Sequence, residues 1–575
     1  MSIASLYPSI NPSLLLDFAN SKVLDSRVTF TRTTTATYYD GVTTAKAEEN
    51  LFTYSQNSTT NWTNFSSRLT ITTSYEAAPD GTTTGMRLVN SSGSTGYFYQ
   101  NVGSNILVSG TTYTLSVYVK SNTGSSQTIS LMIPDTGTTT NVTATTTWSR
   151  VSWTPTLAST NSFAGLVLSN GADISVWGFQ LEQRSSATAY TTTTTQAITN
   201  YIPVLQTAAA GQARFDHNPT TGESLGLLIE EARTNLATYS ADFSNAAWTK
   251  SGGSITLNGN VAPDGTVSAD IFVENTSNST HELGQAFTIN MTSTAYTMSI
   301  YVKANGRTRG SIFMVAPGPT YQQFGCNFNL TAQTATVSSA NGGVASSATI
   351  TPVGNDWYRI TATGYTTYNG SQTFAFYLQD SSGNVVYTGN GFSGMSIWGA
   401  QLEAGSFATS YIPTVASSVT RNADAASMTG TNFSSWFNAA EGTLFCNATD
   451  NGYTQDAMTY TIADGSTANL IQAYRNPTGT RSFAITASNS ASTILTASVS
   501  TGTPVLSAFA YKVDSFALST NGSAASTDSS GVVPYSLNVL NIGNRNSSLY
   551  QSQTIKKLAY YPIRVTNAQL QALTV

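Results

Sequence analysis

The chain holds two histidines, His217 and His281, and neither lies in a pattern that chemistry would need. His217 follows Asp216 and His281 sits in a stretch rich in Thr and Asn, with no Ser-His-Asp context around either. Both read as surface or internally satisfied residues. The two cysteines, Cys326 and Cys446, lie 446 − 326 = 120 residues apart. They read as isolated thiols in strands, because a disulfide framework and a zinc site both need clustered ligands. Acidic residues come as adjacent pairs, Glu48/Glu49 and Glu230/Glu231. A glycosidase needs two carboxylates about 5–10 Å apart facing one sugar, whereas neighbours in a strand point to opposite faces. These pairs therefore read as hydrogen-bond and salt-bridge partners. Glu182 and Glu403, with Asp80 or Asp264, offer the oxygen ligands that a structural Ca²⁺ takes. That is the one metal expectation, and no other cofactor is expected.

Sugar binding calls for exposed aromatic faces with polar groups beside them. Tyr97, Phe98 and Tyr99 in T-G-Y-F-Y-Q are candidates for a surface cluster, with Tyr97 and Tyr99 as the ligand contacts. Trp177 and Trp398 lie in strongly patterned strands and are expected in the core. Trp62 and Trp248 are expected to pack rather than to bind.

The elements that would carry these residues are strands. Charged residues make up 9% of the 575, against about 25% in ordinary soluble proteins, so solubility rests on hydroxyls and amides. Thr, Tyr, Val and Phe favour strands, and Gly, Asn and Ser supply turns. The expected class is all-β. A net charge of −5 with few Lys and Arg argues against a nucleic-acid surface. The opening MSIASLYPSINPSLLLDFANSK lacks the basic and apolar regions of an export signal. No segment approaches the ~20 apolar residues of a membrane helix. The chain is therefore expected to be made in a cytoplasm, with no membrane insertion.

Six blocks recur in order. Asn50-Leu51-Phe52-Thr53-Tyr54-Ser55 matches Asn235-Leu236-Ala237-Thr238-Tyr239-Ser240, Trp62-Thr63 matches Trp248-Thr249, and Ala78-Pro79-Asp80-Gly81-Thr82 matches Ala262-Pro263-Asp264-Gly265-Thr266. Tyr113–Lys120 matches Tyr296–Lys303, Trp148–Val151 matches Trp357–Ile360, and Val176–Glu182 matches Ile397–Glu403. The offset grows from 235 − 50 = 185 to 398 − 177 = 221, so the second copy holds an insertion of about 26 residues within 310–351, expected as an added hairpin. Ordered self-similarity of this kind marks a repeated structural unit. Strict alternation in Val176–Glu182 sets Trp177, Phe179 and Leu181 on one face. Lead-in segments around Arg32 and Arg214 also correspond, and Tyr201-Ile202-Pro203 is read as the counterpart of Tyr411-Ile412-Pro413.

The expected division is an attachment or leader segment over 1–49, a first jelly-roll module over 50–195, a leader or linker over 196–234, a second jelly-roll module over 235–415, a linker over 416–440 and a third sandwich over 441–575. Strands are expected in the third unit at 457–462, 482–486, 514–519, 540–543 and 553–561, with a closing helix over 566–573.

The blocks N-L-x-T-Y-S, A-P-D-G-T, Y-x-x-S-x-Y-V-K, W-Y-R-I and I-W-G-A-Q-L-E-A-G-S-F-A-T-S-Y-I-P-T look like those of tailed-bacteriophage virion proteins, tail or head fibres and spikes with carbohydrate-binding-like jelly rolls. Residues 441–575 resemble a concanavalin A/laminin-G-like lectin sandwich, notably in Y-K-V-D-S-F-A-L-S-T-N-G. The resemblance implies a non-enzymatic structural component of a phage particle that attaches to host-surface glycan. It also implies a homotrimer, located in the virion, docked to other virion proteins through its N-terminal segment, with the third sandwich at the far end. The alternatives are a polysaccharide depolymerase, for which no residues remain to build a catalytic domain, and a secreted carbohydrate-binding accessory protein.

Overall fold

The computed structural model describes residues 11–134, 139–291, 294–317, 321–452, 456–476, 479–500 and 502–575. The fold is all-β and comprises three β-sandwiches. The first module pairs a sheet ordered Thr139–Ala144, Gln127–Met132, Phe163–Leu168, Gly96–Asn101, Trp62–Asn64 with a sheet ordered Ser149–Trp153, Thr114–Ser121, Asp173–Glu182, Gly85–Asn90, Leu69–Glu76. The second module repeats this with one more strand at one edge of each sheet, Thr334–Ala340 and Val344–Gly354. The added segment is therefore not a hairpin. Its two strands leave the turn at Asn341-Gly342 in opposite sheets, and Val344–Gly354 pairs with Trp357–Tyr365.

The repeated blocks have visible jobs. Asn50 begins the first module by donating to the carbonyls of Phe179 and Thr191 and accepting from the amides of Phe52 and Leu181. Asn235 makes the same four bonds with Ala400, Ile412, Ala237 and Leu402. Trp62 and Trp248 pack inside and donate to the carbonyls of Tyr54 and Tyr239. The W-G-x-Q strands break alternation. Gly178 (φ 67°) and Gly399 (φ 62°) are bulges, the backbone conformation that costs glycine least. They turn Phe179 and Leu181 inward with Val176, while Trp177 faces the opposite side beside Tyr118 and Tyr190. Trp398 likewise leaves the core of its own module and packs with Tyr301 and Tyr411 against the lead-in ribbon. Tyr190, not Tyr201, is the counterpart of Tyr411. Its hydroxyl bonds Ser55 as that of Tyr411 bonds Ser240, both at 2.6 Å, and 411 − 190 = 221 keeps the offset.

The lead-in segments are not linkers. Leu14–Leu16 and Ser224–Ile229 both pair with Ser552–Tyr561, and Thr29–Thr31 pairs with Ala425–Thr429 in the opposite sheet. Leu14, Leu16, Phe18, Leu227, Ile229 and Met428 share one core with Leu444, Phe483, Phe509 and Tyr560. Residues 441–575 therefore form most, but not all, of a host sandwich of an eight-stranded and a seven-stranded sheet. Both repeated modules are insertions into it. The first is carried on a two-stranded ribbon, Ala36–Asn50 with Ile198–Ala208, and the second on a short ribbon, Arg233–Asn235 with Val419–Arg421. The expected placement of N-terminal residues and third sandwich at opposite ends is corrected by these pairings, because strands of just three residues gain their stability by extending an existing sheet. Residues 1–10 lie outside the described residues.

Where both ribbons enter the host, five charged side chains are buried together. Asp424 accepts from Arg32 Nη1 at 2.8 Å and Arg214 Nη2 at 2.5 Å, and Glu230 accepts from Arg214 Nη1 at 2.7 Å and Arg421 Nη1 at 2.8 Å. Burial works to raise the Glu230 carboxyl, but the charges of Arg421 and Arg214 and the bonds from Ser410 override it and hold it at about 2. The corresponding lead-ins of the two copies, marked by Arg32 and Arg214, thus converge on one aspartate. The closing helix Asn567–Leu573 starts at Thr566 with a capping box to Gln569.

Candidate functional site

The strand Gly96–Asn101 is held from behind. Phe98 stacks on Trp62 at 4.9 Å, and the Gln100 amide clamps Thr53 through its amide and carbonyl, both at 2.7 Å. With Phe98 and Gln100 inside, Tyr97 and Tyr99 necessarily project outward, half-buried. Gly165 lies opposite Tyr99, where any β-carbon would collide with it. Phe65 stands edge-on to Tyr97 at 6.0 Å, and Phe163 edge-on to Tyr99 at 5.5 Å. Phe65 is 47% exposed and Phe163 36%. With Met132 and Pro134 they enclose an open aromatic slot of about 290 Å³. At one end the Arg68 guanidinium lies 6.0 Å from the Phe65 ring. Ser130 and Asn141 share a hydrogen bond across two neighbouring strands of the same sheet. Rigid rings with a guanidinium beside them can receive the apolar face of a small ring.

The structure thus brings Tyr97 and Tyr99 together, sets Phe98 in the core, and adds Phe65 and Phe163, which sequence reading did not single out. The slot is not duplicated. Gln285 repeats the Gln100 clamp on Thr238, and the register then puts Glu282 and Gly284 where the first module has Tyr97 and Tyr99.

The remaining candidates are occupied by structure. The Glu182 carboxylate accepts from Thr188 N at 3.1 Å and from its hydroxyl, and Glu403 does the same with Thr409. Burial raises the Glu182 carboxyl despite those bonds. Asp80 and Asp264 close their own turns by accepting from Thr82 and Thr266. Among the described residues, no three His, Cys, Asp or Glu side chains gather as a metal site. Glu48 pairs with Lys303, Glu49 with Lys46, and Glu231 with Arg233. His281 is fully buried with both ring nitrogens at backbone carbonyls, of Gly252 (2.6 Å) and Tyr387 (3.2 Å). Cys326 and Cys446 are buried and unpaired. No helix among the described residues is long and apolar enough to cross a membrane.

No family model matches the chain, and no curated protein matches it. Among solved structures, it is similar to the CBM40 module of a Ruminococcus gnavus IT-sialidase bound to α2,3-sialyllactose. The match has 11% identity and a TM-score of 0.23, over 25% of this chain and 88% of that one. It is similar to the N-terminal CBM22-1–CBM22-2 tandem domain of Paenibacillus barcinonensis Xyn10C, at 13% identity and a TM-score of 0.20 over 63% and 98%. It is also similar to domains LG4-5 of the mouse laminin α1 chain, at 9% identity and a TM-score of 0.18 over 58% and 93%. At these scores none of the three carries an argument about function.

Proposed function

We propose that this chain is a non-enzymatic component of a bacteriophage particle, a tail or head fibre or spike, that binds host-surface polysaccharide through its first module. The observation that carries the reading is the rigid aromatic slot of Phe65, Tyr97, Tyr99 and Phe163, open to solvent on a sheet face. The repeated sequence blocks supply the virion context, and homotrimeric assembly belongs to the same proposal. Docking to other virion proteins through the N-terminal segment then takes place on the host sandwich, which holds Leu14–Leu16. The adjacent carboxylates that a depolymerase would use are spent on ion pairs.

The test is retention on immobilised host polysaccharide. Two rings at about 1 kcal/mol each give about a 30-fold loss for the double variant Tyr97→Ala/Tyr99→Ala. Unchanged retention in a folded double variant sinks the assignment. Release of new reducing ends from the polysaccharide replaces it with the depolymerase reading.

A further inference from the structure

The first module carries five cations, Arg68, Arg87, Lys120, Arg150 and Arg184. Arg87 pairs with Asp173 at 2.5 Å, Lys120 pairs with Glu76, and Arg184 Nε lies 3.7 Å from Glu182. Arg150 donates to the Thr188 carbonyl and the Ser116 hydroxyl. Arg68 is the cation left over. Its Nη1 donates to the Thr95 carbonyl at 2.7 Å, while its Nε and Nη2 have no partner among the described residues and stay open to solvent. Those two nitrogens form the edge of a guanidinium that grips a carboxylate or phosphate through two parallel bonds.

The chain builds this placement locally. Ser66 (φ 56°) and Ser67 (φ 50°) take the left-handed conformation between Phe65 and Arg68. Asn64 closes the turn by donating to the Leu69 carbonyl at 2.7 Å and accepting from the Leu69 amide at 3.1 Å. Phe65 and Arg68 are thereby held together at the slot, with the guanidinium 6.0 Å from the ring. The strands of the slot's own sheet contain no Asp, Glu, Lys or Arg. Glu76, Asp173 and Glu182 belong to strands of the opposite sheet, and Asp80 to a turn between two of those strands. The second module reverses the charge. Glu282 stands where the first module has Tyr97. Its stretch Thr249–Ser254 has no aromatic residue, and the one cation there, Lys250, donates to the carbonyls of Ser244, Asn245 and Trp248. The rings and the free guanidinium thus occur together in one copy and are missing together from the other.

We propose that the aromatic slot selects acidic saccharides, a pyranose ring bearing a carboxylate or a phosphate, and that Arg68 is the residue that decides this specificity. The proposal rests on the reading of the slot as a saccharide site. The ring lies against the aromatic side chains and its anionic group meets the Nε and Nη2 edge of Arg68, whereas a neutral ring gains the aromatic contact alone.

The test titrates the full chain, followed by saturation-transfer NMR at low and at high salt. The probes are methyl glucuronide, methyl galacturonide and glucose 6-phosphate, beside the neutral methyl glucoside, methyl galactoside and glucose. At least one acidic probe is expected to bind saturably and about tenfold more tightly than its neutral counterpart, the worth of a charge-assisted hydrogen bond. The advantage is expected to shrink at high salt, and the probe that shows it tells carboxylate from phosphate. Arg68→Gln is expected to abolish the advantage, and Arg68→Lys, which keeps the charge without the fork, to retain part of it. Both variants are expected to melt with the parent, since Arg68 gives up one exposed hydrogen bond. Equal binding of acidic and neutral probes overturns the charge selection. So does an advantage that survives Arg68→Gln, or absence of saturable binding by every acidic probe. The slot itself outlives those results if the parent is retained on host polysaccharide and Tyr97→Ala/Tyr99→Ala is not; it falls with them if that difference is also missing.

Discussion

Truncating Asp424 to alanine is the most demanding test of the insertion topology. Asp424 is fully buried and accepts from Arg32, Arg214 and the Glu230 amide. Arg214 keeps Glu230 as a partner after truncation, but Arg32 loses its carboxylate and retains only the carbonyls of Thr34, Ala209 and Gln212. Breaking one buried ion pair costs about 3–5 kcal/mol, and an orphaned buried N–H adds about 1–3 kcal/mol. The sum, about 4–8 kcal/mol, is a large share of the roughly 5–15 kcal/mol that holds a domain together. For a unit of this size each kcal/mol lowers the melting temperature by about 2–4 °C. Calorimetry of Asp424→Ala should therefore show the host-sandwich transition falling by about 10 °C or more, while the transitions of the two modules, whose cores do not include Asp424, stay in place. Asp424→Asn, which keeps the shape and loses the charge, should fall between. A host transition that moves by less than 2 °C, or three transitions that move together, would refute the idea that this aspartate ties the ribbons to the host.

Two further outcomes follow from titratable groups. Burial lifts the Asp216 carboxyl to about 6, against the opposing bond from the Tyr39 amide and the charge of Arg214. The unfolded chain releases this proton near pH 4 and the folded chain holds it to about 6, so the stability from this group is present below pH 4 and lost as pH rises through 6. Asp216→Asn should lack that fall, and matching pH–stability curves for parent and variant would contradict it. Burial also pushes the Cys326 and Cys446 thiols up to about 12, so a disulfide reagent at pH 8 should label neither until denaturant is added. Stoichiometric labelling of the native protein would show that one of them is open to solvent.

Much of this was legible in the sequence where local patterns repeat. The modules, the turn at Ala262–Thr266 and the closing helix with its Thr566 cap each carry their own signal within a few residues. The host sandwich was recognisable only in part. Its edge strands Leu14–Leu16 and Thr29–Thr31 are too short to show a period, and their partners lie more than 390 residues away in sequence. The W-G-x-Q strand misled because one glycine bulge inverts every later side chain. Tyr97 and Tyr99 were visible as an aromatic run, but Phe65 and Phe163 reach them from other strands and turns, with no local pattern to announce them.

The position of Ser552–Tyr561 sets an order of events during synthesis. This strand lies inside its sheet, between Glu441–Gly452 on one side and Leu14–Leu16 with Ser224–Ile229 on the other. As the chain leaves the ribosome, each module can close as soon as its own strands are out, since its core is self-contained. Leu14 and Leu16 emerge before either module and must wait through the synthesis of both before the strand that covers them arrives. A prematurely terminated product would carry two finished modules on an unsealed apolar base, with strand edges open to aggregation. Closure of the host sandwich thus reports that synthesis has passed Tyr561.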